Sequence, residues 1–185
     1  LIFSLAFLVL LMVIGVREIG TAGSSTFMTT YFVETRRISE TTSTLIFGLG
    51  PFIGIAGSIA GGYLGERLGS KKALGLAILC GAILLFALAW ASEVYMLAFI
   101  YLLYSFFDSA VWSPMNALVA STTSETERGM GYSFYFFTEA LLSSFAPTLA
   151  ATVIVLTSVW FVLPYSAVFL VASVVKLQFL QHKKQ

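Results

Sequence analysis

Arg17, Glu18, Asp108 and Glu139 carry formal charge inside long, otherwise apolar runs of the chain. A charged side chain at the centre of a bilayer costs at least about 2.5–3.5 kcal/mol on insertion scales. Such groups must therefore face protein or water, where they pair ions, bind charged solutes or carry protons. The set holds three acids and one base. If Arg17 pairs with one carboxylate, two acids remain without a basic partner in this chain. Asp108 and Glu139 are then candidates to carry a coupling proton. Helical spacing extends each charge into a stripe. Tyr101, Tyr104, Asp108, Trp112 and Met115 follow steps of three and four, as do Tyr132, Tyr135, Glu139 and Ser143. Arg17, Thr21, Ser24 and Met28 share a face, with Glu18 and Ser25 about 100° round from it. The candidate substrate- or proton-binding set is Arg17, Glu18, Tyr104, Asp108, Trp112, Tyr135 and Glu139.

Most of the remaining surface is built for lipid. Of 185 residues, 58% are hydrophobic and 10% charged, and the mean hydropathy is +0.94. A soluble domain carries about 25% charged residues. The net charge of +1 gives no electrostatic argument for nucleic acid. Cys80 and His182 are the only residues of their types. An intrachain disulfide is thereby excluded, as are a Ser–His or Cys–His dyad within the membrane and a histidine-based metal cluster. No cofactor is expected. An enzyme would need a nucleophile beside one of the buried acids, and no nucleophile motif accompanies them. The chain opens on Leu1 and enters an apolar run at once, unlike a signal peptide, and so reads as a segment of a longer protein.

A span takes about 20 apolar residues. The sequence predicts six: Leu1 to Val33, Thr42 to Leu64, Ala73 to Ala91, Val94 to Ser121, Gly129 to Leu156 and Val159 to Leu180. Their length and lack of a two-residue period predict helices, giving an all-α transmembrane bundle. Connections fall on alternate sides. One side holds Arg36 and Arg37, and the other Arg67, Lys71, Lys72, Arg128, Lys176, Lys183 and Lys184. The positive-inside rule places the second side, with both ends of the segment, in the cytoplasm, the membrane being the plasma or inner membrane. Spans three and six are expected to be lipid-facing supports, and spans one, four and five to line a polar path. Pro51, Pro114, Pro147 and Pro164 all fall within spans and are expected to kink them. Span two has no charge, but Gly50, Gly54, Gly57 and Gly61 form a close-packing face.

The stretch "GGYLGERLGSKK" (Gly61–Lys72) stands between spans two and three. It resembles the loop signature of the major facilitator superfamily of secondary transporters, Gly-x-Leu-x-Asp-Arg-x-Gly-Arg-Arg/Lys. Gly62, Leu64, Arg67, Gly69 and Lys71 match, while Glu66 replaces Asp and Ser70 replaces a basic residue. "ETERGMGYSFYFFTEALLSSFAP" (Glu125–Pro147) is similar to the family's acidic-Arg-Gly turn before a fifth helix, with Phe145-Ala146-Pro147 in place of a Gly-Pro step. The resemblance implies half of a twelve-helix transporter, and the Asp108 position and basic tail look more like the C-terminal half. It implies alternating access, with the first, second, fourth and fifth helices of each half around a central cavity. It also implies two inverted three-helix repeats, residues 1–91 and 92–185. By the same resemblance, Gly62, Glu66, Arg67, Gly69, Lys71 and Arg128 belong to a cytoplasmic gate, with Glu66 accepting from Arg128 or from the start of span five. Lys71 and Lys72 are expected near the interface beside anionic lipid.

The leading expectation is a symporter or antiporter for a small solute, working in the bilayer with a missing N-terminal six-helix half. The alternative is a stand-alone six-span binding or structural protein that dimerises. Tyrosine and tryptophan suit an aromatic, apolar or sugar-like solute, Asp108 and Glu139 a cation, and Arg17 an anion.

Overall fold

A computed structural model describes residues 4–180. Six helical spans are long and apolar enough to cross a membrane, and the described residues contain no strand. Span one is α1 (Leu5–Thr30), which ends in a π-helical turn, Tyr31–Thr35. Spans two and three are α2 (Glu40–Leu68) and α3 (Ser70–Leu88). Span four is broken into α4 (Val94–Ala110) and α5 (Trp112–Thr122). Spans five and six are α6 (Arg128–Leu156) and α7 (Val162–Gln178), each entered through a short 3₁₀ turn.

Local chemistry sets the ends. The Ser4 and Ser39 hydroxyls each accept from the backbone N–H three residues on, at 3.2 Å, satisfying a donor that the first turn leaves open. Gly69 alone connects α2 to α3, with φ of 84°. That left-handed backbone strains any residue with a Cβ, so the glycine of the loop signature is required by geometry.

The prolines act in different ways. Pro51 and Pro147 lie within α2 and α6. Pro51 cannot donate to the Phe47 carbonyl one turn earlier, and the Tyr101 hydroxyl donates there instead, at 3.3 Å. Pro114 follows the break in span four, where the Val111 N–H turns to the Asp108 carbonyl at 3.4 Å. Pro164 corrects the expectation of a kink. It sits in the first turn of α7, where no N–H is needed.

Five span-to-span contacts hold the bundle. Span one packs on spans five and six, span four on spans two and three, and span three on span six. The seam between α2 and α4 is the tightest. A methyl placed on Gly57 or Gly61 would run into the carbonyl oxygens of Phe106 and Ala110. Such close approach of backbones lets Cα–H groups face carbonyl oxygens across the seam. The Ala110 carbonyl is the one that Pro114 leaves without its helical donor. On one rim, Arg36 donates to the Tyr31 hydroxyl at 2.8 Å and to the Ala89 carbonyl. Tyr31 in turn donates to the Leu88 carbonyl at 3.1 Å, and the Trp160 indole to Ala89 at 2.7 Å. The end of span three is thus tied to spans one and six.

Gly61→Val is expected to destabilise the fold by about 3 kcal/mol through backbone overlap. Gly48→Ala, at a site with nothing within 4 Å, is expected to leave stability unchanged. Thermal unfolding in detergent would separate the two.

Candidate functional site: a charged cavity within the span

A cavity of about 370 Å³ opens between α1, α2 and span four. Its floor is an ion cluster. Arg17 is buried, 6% exposed, and its guanidinium is forked between two carboxylates. One amino group donates to Glu18 on the same helix, and the other reaches the Asp108 carboxylate at 2.5 Å. The second group also lies 3.5 Å from the Asp108 backbone carbonyl, which accepts from the Val111 N–H at 3.4 Å as well. A buried guanidinium with two bonded carboxylates keeps its charge compensated, whereas one with none would cost several kcal/mol. Asp108 is the more open partner, its side chain 31% exposed against 10% for Glu18.

The walls are small, hydroxylic and aromatic. Thr21, Ser25 and Met28 come from α1, Phe47, Gly50 and Pro51 from α2, and Tyr101, Tyr104, Ser105 and Trp112 from span four. Phe47 stacks on Tyr101 with ring centroids 6.0 Å apart, and Tyr101 meets Phe32 edge-on at 5.6 Å. These rings stand because Tyr101 also holds the carbonyl freed by Pro51.

Arg17, Glu18, Tyr104, Asp108 and Trp112 all line this one cavity. Tyr135 and Glu139 do not. They stand on α6 beside it, Tyr135 buried with its hydroxyl toward Glu139, and Glu139 close enough to Arg17 and Glu18 to feel their charge. Tyr132 donates instead to the Asn116 carbonyl at 3.0 Å, pinning α6 to α5. Sequence reasoning about charge overlooked Phe47, Gly50 and Pro51, because span two has no charge to mark it. Ser105 was overlooked as well, although its place one turn after Tyr101 could have found it.

The residues of the loop signature lie at the far end of α2. Gly62 faces the Ser113 hydroxyl and Gly65 faces Pro114. The Arg67 guanidinium lies over the Tyr63 ring, 4.6 Å from its centroid. Glu66 and Arg128 are both exposed, and no ion pair among the described residues joins them. The Lys71 ammonium bonds the carbonyls of Gln178 and Leu180, at 3.1 and 2.5 Å, and so caps span six. Lys183 and Lys184 of the basic tail, like His182, lie outside the described residues.

The family model described as the Major Facilitator Superfamily matches residues 3–180. The chain belongs to the major facilitator superfamily. No curated protein matches the chain. Members of this superfamily are membrane transporters rather than enzymes, and six apolar spans make this superfamily chain an integral membrane protein.

Arg17→Gln is expected to cost about 3–5 kcal/mol, since it leaves Glu18 and Asp108 facing each other without a cation. Adding Asp108→Asn should recover much of that loss, as read by thermal unfolding and by the yield of folded protein. Lys71→Met should cost about 1–3 kcal/mol and speed amide exchange at the end of α7 while leaving α1 protected.

Proposed function

We propose that this superfamily chain is the C-terminal six-helix half of a secondary active transporter, and that a small solute passes through the cavity over the Arg17–Glu18–Asp108 cluster. One observation carries the reading. A group of ions too costly for lipid lines an open cavity inside the span region, with Asp108 partly exposed. Binding near the midplane is what alternating access requires of a secondary transporter.

The packing supports a pair of inverted repeats, residues 1–91 and 92–185. A two-fold relation would exchange spans one and four, two and five, and three and six. Under it, the contact of span one on span five is equivalent to that of span four on span two. The contact of span one on span six likewise matches span four on span three, and span three on span six maps onto itself. All these contacts occur. The open face of α6, with Phe137, Phe145 and Leu149 exposed, is where the N-terminal half would close the path. The loop of Gly62, Glu66, Arg67, Gly69 and Lys71 then stands with Arg128 at a cytoplasmic gate of the plasma or inner membrane. It is seated against the lower part of span four by Gly62 and Gly65.

Asp108 and Glu139 are the proposed proton carriers. Asp108 faces the cavity, and Glu139 stands on α6 beside it. Reconstituted full-length protein should transport its solute at a rate that depends on an imposed pH gradient. Joint replacement by Asp108→Asn and Glu139→Gln should remove that dependence. A double variant that keeps the wild-type pH response would rule these carboxylates out as carriers.

A further inference from the structure

We infer that the cavity admits positively charged solutes in preference to anions, with Asp108 as their anchor. This rests on the reading of the cavity as the solute path.

Residue types alone leave the sign of the solute open, because the cavity holds both a guanidinium and carboxylates. The geometry decides it. Arg17 spends both of its terminal nitrogens on protein carboxylates, one on Glu18 and one on Asp108. It is 6% exposed, so an anion entering the cavity meets the bonded Asp108 carboxylate before it reaches the guanidinium. No other lysine or arginine lines the cavity among the described residues. Three formal charges, two negative and one positive, leave the floor with a net charge of −1. Glu139 adds a further acid within electrostatic reach of the same cluster.

Exposure points the same way. Of the three ions it is Asp108 that opens to the cavity, with its side chain 31% exposed. A carboxylate accepts in up to about four directions, and Arg17 takes only part of that capacity. Above it stand the rings of Phe47, Tyr101 and Trp112. Aromatic faces are electron-rich and attract cations, most strongly where water is scarce. The hydroxyls of Ser25, Ser105 and Ser109 can accept from an ammonium as readily as donate. Every wall that this chain contributes therefore either favours a positive charge or tolerates one, and the one cation among them is outnumbered by the two carboxylates that hold it.

The test uses full-length protein in which Cys80 and any cysteine outside this segment are replaced by alanine, with a single thiol introduced by Ser25→Cys or, separately, Ser105→Cys. Each thiol is reacted with a trimethylammonium-bearing and with a sulfonate-bearing methanethiosulfonate. Rates are divided by those for a free thiol in water. The normalised rate of the cationic reagent should exceed that of the anionic one by about tenfold or more at both positions, the scale on which a charged cleft concentrates ions. Asp108→Asn should bring the two rates together. Equal rates, or a faster anionic reagent, would overturn the charge preference while leaving the reading of the cavity as the path intact. A ratio unmoved by Asp108→Asn would remove Asp108 as the anchor. Failure of both reagents at both positions would overturn the path and this inference with it.

Discussion

The structure turns on one guanidinium. Arg17 lies deep in an apolar bundle, and it is tolerable there only because Glu18 and Asp108 both meet it. Glu18 is its neighbour in sequence, so that half of the cluster is fixed by α1 alone. Asp108 comes from span four, and its arrival joins the first half of the chain to the second. The break at Val111 helps in this. Where the helix loosens before Pro114, the Asp108 carbonyl comes within reach of the same guanidinium. The ion pair and the loosened turn at Val111 therefore lie side by side on span four.

Around that junction the chain handles prolines by answering each freed carbonyl locally. Tyr101 covers the carbonyl that Pro51 releases, and the α-carbon of Gly61 lies against the one that Pro114 releases. Both answers cross the same seam, between α2 and span four. A face of glycine on one helix and two broken hydrogen-bond ladders on the pair explain each other. The backbones come close because there is no side chain between them, and closeness supplies the contacts that the prolines remove.

The six spans, their helical character and the charged stripes were all legible in the sequence, because hydropathy and a period near 3.6 are written residue by residue. Arg17, Glu18 and Asp108 were recognisable as functional candidates on cost alone. What could not be read was which of them meet. Arg17 and Asp108 stand 91 positions apart, and nothing local states that one guanidinium serves two acids. Phe47 and Pro51 were invisible as cavity walls for a similar reason, since an apolar residue carries no mark of which face it lines. The partners of Lys71 were equally unreadable, since nothing local states that the end of α7 lies close enough to offer it carbonyls. Pro164 was misjudged by a boundary error of a few residues, which is enough to turn a helix breaker into a helix starter.

Gly69 has a mechanical meaning beyond its conformation. Two rods of 29 and 19 residues, α2 and α3, meet at a single residue. A loop of several residues would act as slack rope, letting each rod slide or rotate on its own. One residue supplies only its own pair of soft torsions, so the lower ends of the two spans are coupled as the arms of a compass are. Any rocking of the cavity-lining span two must swing span three through the same point. Through Lys71, only two residues beyond the joint, it also pulls on the end of span six.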